Sequence, residues 1–172
     1  MNAPARRVTV RTGRRGRSLH RAAWAALLLP AALLAGAWGS QLIGGLVPCE
    51  MCHWQRWPHY AALPLAVLAL LVPGVRRPLT LLAALAIAAS GVIGVMHAGV
   101  EYGWWEGFTA CTSPFGAGGS GDMLATILNA PVIRCDVAQW SLLGISLAGY
   151  NAILSLGGAL VIAWWASKRE RA

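Results

Sequence analysis

Four stretches of this chain carry no Asp, Glu, Lys or Arg: residues 22–49, 57–75, 78–100 and 137–167. A helix needs ~20 apolar residues to cross the ~30 Å hydrocarbon core of a bilayer. Each stretch is that long or nearly so. They are read as four transmembrane helices, spanning about 22–43, 54–72, 79–99 and 141–165. The fold class that follows is all-α, an integral membrane four-helix bundle. The second stretch is the shortest and contains Pro58, Pro64 and Pro73. Proline is tolerated in membrane helices where neighbours satisfy the freed carbonyls, and this span is expected to extend back toward Cys52–Arg56.

The net charge of +8 raises the question of nucleic acid. Its distribution answers against it. Arg6, Arg7, Arg11, Arg14, Arg15, Arg17 and Arg21 precede the first span, Arg76 and Arg77 lie between the second and third, and Lys168, Arg169 and Arg171 follow the fourth. Only Arg56 and Arg134 lie on the other side, where five of the six acidic residues also fall. This is the positive-inside asymmetry, so both termini and the 76–77 turn are expected to be cytoplasmic. The basic ends set topology and touch anionic lipid. The expected organisation is a basic tail at 1–21, a membrane domain at 22–167 with outward loops at about 44–53 and 98–140, and a second tail at 168–172. With Pro4, Gly13, Gly16 and no apolar periodicity, residues 1–21 read as unstructured. Arg14-Arg15 and Ala35-Gly36-Ala37 resemble a cleavable targeting signal, but the long apolar run and three further spans favour an uncleaved first helix.

The second outward loop is the only sizeable polar segment. Gly116–Gly121 is a flexible linker by composition. Residues 122–130 read as a short helix with Met123, Leu124, Ile127 and Leu128 on one face, suited to lying on the bilayer. Trp54, Trp57, Trp104, Trp105 and Trp140 gather outside and Trp24, Trp164 and Trp165 inside, as interfacial belts do.

All four cysteines, Cys49, Cys52, Cys111 and Cys135, fall in the two outward loops. An even number on one face suits an oxidising compartment, the periplasm of a bacterial cell. Cys49-Glu-Met-Cys52 stands at the start of the second helix, where the positive end of the helix dipole favours thiolate. Arg56 lies one turn beyond Cys52 and adds a fixed positive charge. Several chemistries fit such a set. As a staple the Cys-x-x-Cys pair is poor, since closing so short a loop removes little chain entropy; Cys111–Cys135 alone could be structural in a non-catalytic membrane protein. A four-cysteine zinc cage lacks a second close pair, so no metal is expected. Cys49-x-x-Cys52-His53 matches the attachment pattern of c-type haem, with His97, Met51 or Met96 as nominal axial ligands, but the loops offer little apolar bulk to enclose a macrocycle. A thiol relay answers more features: one pair reachable by a soluble partner, the other passing electrons to a lipid-soluble acceptor through thiolate attack and mixed disulfides.

Three elements together resemble the disulfide bond formation protein B (DsbB) family: Pro48-Cys49-x-x-Cys52 with Arg56, His97-x-Gly-Val-Glu101-x-Gly-Trp-Trp105, and Cys135-Asp136 leading to Gly144-Ile-Ser-Leu-Ala-Gly-Tyr-Asn151. The resemblance runs from about 22 to 165. It implies a protein-disulfide:quinone oxidoreductase of the bacterial inner membrane that reoxidises a DsbA-like periplasmic thiol oxidase, with ubiquinone or menaquinone as acceptor. In that relay the reduced partner attacks Cys111, Cys135 is released and attacks Cys49, and Cys52 becomes the thiolate that faces the quinone. Arg56 holds the quinone and favours the thiolate. The local motif around His97 and Glu101 differs from that of the family's quinone-contacting histidine, so these two are carried as quinone contacts by position. His53 then follows the redox motif by coincidence.

Overall fold

The structure is a computed structural model that describes residues 13–107 and 134–168. Cys111, the glycine run at 116–121 and the expected short helix at 122–130 lie outside the described residues. Within them the order is α1 (Gly13–Leu42), α2 (Glu50–Leu71), a 3-10 turn (Pro73–Val75), α3 (Arg76–Glu101), a hairpin of β1 (Ser141–Leu142) and β2 (Ile145–Ser146), and α4 (Leu147–Ser167). The chain is an all-α membrane helical bundle. α3 packs most extensively against α4 and α2, and α1 closes the ring against α2 and α4. With short turns joining α1 to α2 and α2 to α3, this is an up-down-up-down bundle.

Three helical segments are both long and apolar enough to cross a bilayer: Gly16–Leu42, Pro73–Glu101 and Leu147–Ser167. α2 spans about 33 Å at 1.5 Å per residue, yet its hydropathy is reduced by Gln55, Arg56 and His59, all buried inside the bundle. Its Pro58 and Pro64 lie within the helix, as expected of a membrane segment. The lipid-facing side is apolar: Leu28, Leu71, Leu85, Ile153, Leu160 and Trp164 are all exposed. The interior is made of small residues. Ala22 and Ala26, Ala62 and Ala66, Ala83 and Ala84, and Ala159 and Ala166 meet around Ile87 and Ile162. Small side chains allow the close backbone approach on which helix association in lipid depends. At the α3–α4 seam, a Cβ on Gly91 would stand 2.7 Å from Leu156 Cγ, and one on Gly94 3.0 Å from the Ala152 nitrogen.

The ends of the helices differ from the sequence expectation in two places. α1 begins at Gly13, inside the basic segment read as unstructured. Arginine is a good helix former, and the apolar run that follows supplies the helical nucleus that the segment lacks by itself. The fourth helix starts at Leu147 rather than near 141, because residues 141–146 form the hairpin. Leu143 and Gly144 both have positive φ, 52° and 78°, the two-residue turn that matches strand twist. Ser146 then caps α4, its Oγ accepting from the Gly149 amide at 3.1 Å. At the turn between α2 and α3, Arg76 donates to the Ala69 and Leu70 carbonyls at 3.0 and 3.3 Å. A cation there complements the C-terminal end of α2.

Candidate functional site

Cys49 is the N-cap of α2: its backbone is extended, and its Sγ accepts from the Cys52 amide at 3.3 Å. Cys52 is in the first turn, and the two sulfurs are in contact at 2.9 Å. Both precede the charge-free run that begins at Trp57. Their mutual hydrogen bond, with burial adding to it, pushes the Cys49 thiol up. The same bond holds Cys52 below the ordinary thiol range, with a smaller favourable effect from the Arg56 charge and an opposing one from Glu101. Of the two sulfurs, Cys52 is therefore the one on which a negative charge is favoured. Cys135 is fully buried in one small cluster with Cys49, Met51 and Val100. His53 is exposed.

Behind the cysteines, α3 presents His97 and Glu101 one turn apart. His97 Nε2 is 3.5 Å from Cys49 Sγ and 3.7 Å from Glu101 Oε1. Its Nδ1 accepts from Gln55 Nε2 at 2.8 Å. Gln55 begins a polar network that sequence reasoning missed. Its Oε1 accepts from Asn151 Nδ2 at 2.8 Å. Asn151 Oδ1 accepts from Ser155 Oγ at 2.9 Å and contacts His59 Nε2 at 3.1 Å. Ser90 Oγ donates to the Gln55 carbonyl at 2.7 Å and lies 2.9 Å from His59 Nε2. The signal was present in the spacing: Gln55 and His59, like Asn151 and Ser155, are four apart in apolar helices, where polar side chains face the bundle interior. Which partners they would find was not readable from spacing.

Cys49, Cys52, His97, Glu101 and Arg56 open on one cavity of about 380 Å³ between α1, the start of α2 and the start of α4. Its far walls are apolar, with Leu33, Leu34, Leu147 and Leu154 among them. A mostly apolar cleft with a limited number of polar groups is the usual make-up of a small-molecule site. Arg56, 7% exposed, donates to Gln41 Oε1 at 3.0 Å and to the Ala37 carbonyl at 3.2 Å, and stacks over Trp38 at 5.3 Å. The segment before α2 and the segment before the hairpin are clasped together over this end. Gln139 accepts from the Val47 amide at 3.1 Å and donates to the Val47 carbonyl at 2.6 Å. Tyr102 ties the end of α3 to the hairpin, accepting from the Ser146 amide at 2.8 Å and donating to the Gly144 carbonyl at 3.2 Å. Of the residues singled out from sequence, Cys49, Cys52, Cys135, Arg56, His97 and Glu101 are thus gathered at one end of the bundle. Cys111 falls outside the described residues.

A membrane helical bundle with a polarised thiol pair at a helix N-terminus belongs to the class of membrane-embedded disulfide oxidoreductases. The family model for disulfide bond formation protein DsbB matches residues 20–165, and the chain belongs to that family. It is also similar to the uncharacterized protein RP370 of Rickettsia prowazekii (strain Madrid E), 24% identical over 127 residues that cover 72% of this chain and 73% of the relative. No solved structure matches the chain.

Proposed function

We propose that this chain is a protein-disulfide:quinone oxidoreductase of the bacterial inner membrane, which reoxidises a DsbA-like periplasmic thiol oxidase. The observation that carries the reading is the Cys49–Cys52 pair at the polar end of the apolar cavity, with its charge on Cys52 and Arg56 fixed in the wall. The chemistry of this end fits a quinone headgroup: a thiolate, an arginine and hydrogen-bonding side chains beside walls that suit an isoprenoid chain. A bound ubiquinone or menaquinone supplies a two-electron, two-proton acceptor. The protein's residues do the rest. Partner thiolate attacks Cys111 of a Cys111–Cys135 disulfide and releases Cys135, which attacks Cys49 and displaces Cys52 as the thiolate; the partner's second thiol then closes the partner's own disulfide and frees Cys111, which takes back Cys135 and leaves Cys49 and Cys52 reduced. When the Cys49–Cys52 disulfide re-forms, the pair gives up two electrons and its thiol proton, and the acceptor's second proton comes from solvent. His97, within reach of Cys49 Sγ, orients that thiol. Arg56 favours the Cys52 thiolate and holds the headgroup. Both termini and the 76–77 turn are cytoplasmic in this reading, and the cysteines periplasmic.

The test is quinone reduction by purified protein with reduced DsbA-like partner, followed by absorbance in wild type and Cys52→Ser. Quinone-dependent partner oxidation that disappears in Cys52→Ser is the expected result. Equal turnover in the variant, or none in the wild type, would remove the proposal.

A further inference from the structure

Cys49, Cys52 and His97 bring two sulfurs and an imidazole nitrogen within 4.8 Å of one another. Cys49 Sγ is 3.5 Å from His97 Nε2, and that nitrogen is 3.7 Å from Glu101 Oε1. These are edge lengths of a tetrahedron around a zinc-sized ion, ~3.3–3.8 Å for Zn–S of about 2.3 Å and Zn–N or Zn–O of about 2.0–2.2 Å. Two adjustments complete it: the 2.9 Å sulfur–sulfur contact must open, which Cys52, the less buried of the two, can do by turning toward the cavity, and the Glu101 carboxylate, outside the 4.8 Å group, must turn in toward the sulfurs.

A second observation points to a cation. The Glu101 side chain is 7% exposed, and its Oε2 has no hydrogen-bond partner among the described residues. Its charge opposes the thiolate of Cys52. A buried polar atom left without a partner needs an explanation, and an ion held beside Oε2 would supply its partner.

We propose that the reduced Cys49–Cys52 pair, with His97 and Glu101, forms a site for a zinc-class divalent cation that exists only in the dithiol state. This donor set is not the four-cysteine cage weighed from sequence: α2 supplies two ligands and α3 supplies two. His97 ligates through Nε2 and keeps its proton on Nδ1, so the Gln55 amide presents its oxygen to the ring. A half-turn of that amide exchanges its oxygen and nitrogen at the cost of the Asn151 hydrogen bond to Gln55, and such outer partners fix the tautomer of a ligating histidine. Binding displaces the thiol proton and moves no electrons. Forming the disulfide removes both thiolates and releases the ion. The bound cation therefore holds the pair reduced and blocks its attack on other sulfurs. The site stands independently of any quinone or partner.

The experiment uses full-length protein in detergent carrying Cys111→Ser and Cys135→Ser, so that Cys49 and Cys52 are its thiols. The reduced protein is titrated with Co²⁺ and then Zn²⁺. One cobalt per chain is expected, with thiolate-to-cobalt charge transfer in the near ultraviolet and the intense visible bands of tetrahedral coordination. Equimolar zinc should displace it, and oxidation of the pair should abolish it. His97→Gln and Glu101→Gln should each weaken binding about tenfold or more, as loss of a coordinating or supporting group does. Should His97→Gln fail to fold, the nearly isosteric Glu101→Gln decides, with an unchanged thiol count and helical circular dichroism as its controls. X-ray absorption of the zinc form should give two sulfurs and two nitrogen or oxygen neighbours. No cobalt spectrum in the reduced protein, a spectrum that survives oxidation, or unchanged affinity in the folded variants would overturn the site.

Discussion

Cys49 and Cys52 are three positions apart and play different parts because one helix begins between them. Cys49 ends the extended segment and caps α2, while Cys52 is inside the first turn and receives the Cys49 hydrogen bond. Thiolate is the form that reacts with alkylating agents. In the reduced protein at neutral pH, Cys52 should therefore be alkylated at least tenfold faster than Cys49, as peptide mapping after brief iodoacetamide treatment would measure. The signs can be followed through linkage. Cys52 is lowered on folding, so its contribution to stability is present above the ordinary thiol pKa and is lost as pH falls through its folded value. Cys49 is raised, so its contribution is present below the ordinary value and is lost as pH rises. Equal alkylation of the two, or faster reaction at Cys49, would contradict the assignment of the charge. This asymmetry was legible in the sequence, since Cys-x-x-Cys ahead of an apolar run places a thiol in a first turn. The contact between His97 and Cys49 was not. Sequence placed His97 near the site as a quinone contact, but only the packing of α3 against α2 brings its ring to the sulfur.

At the scale of elements, polar side chains inside the bundle tie α2, α3 and α4 together. Asn151 of α4 donates to Gln55 Oε1 on α2 at 2.8 Å and to the Ser90 carbonyl on α3 at 3.2 Å. Asn151→Leu would remove both bonds and leave the Gln55 oxygen unsatisfied. Interhelical hydrogen bonds in lipid contribute ~0.6–2 kcal/mol each, so a loss of about 2 kcal/mol is expected in denaturant unfolding of the detergent-solubilised protein. An unchanged midpoint would mean that the network is dispensable. The α3–α4 seam tests packing alone. Gly91→Leu adds atoms where even a Cβ would meet Leu156 Cγ at 2.7 Å and its backbone nitrogen at 3.0 Å. Overpacking of this kind costs ~1–3 kcal/mol, while the same change at Gly36, which has open space around its Cβ position, should cost little. The four helices could be read from their charge-free runs. The hairpin before α4 could not, because Trp140-Ser-Leu-Leu-Gly-Ile continues the apolar run, and only the positive φ of Leu143 and Gly144 separates strand from helix.

For the whole molecule the proposed orientation follows from charge. Arginine and lysine cluster at both ends and at the α2–α3 turn, and the thiol site is at the opposite end of α2. The clasp between Val47 and Gln139 keeps the segments before α2 and before the hairpin at that end, so Cys49, Cys52 and Cys135 lie at the end of the bundle opposite Arg76 and Arg77. Single-cysteine reporters can test this arrangement in a background with the four native cysteines changed to serine. That background should fold, since serine at position 49 is a preferred N-cap. Gly74 stands in the turn between α2 and α3 with open space around its Cβ position, and Ser141 is exposed in the hairpin; both accept a cysteine without repacking. With an inner membrane whose outer face is accessible, a membrane-impermeant maleimide should label Ser141→Cys in intact cells. Gly74→Cys should be labelled only after the membrane is permeabilised. The cause is the positive-inside bias of short loops, here carried by Arg76 and Arg77. Labelling of Gly74→Cys in intact cells, with Ser141→Cys protected, would place the cysteines in the reducing cytoplasm. The relay would then face the wrong compartment for disulfide formation.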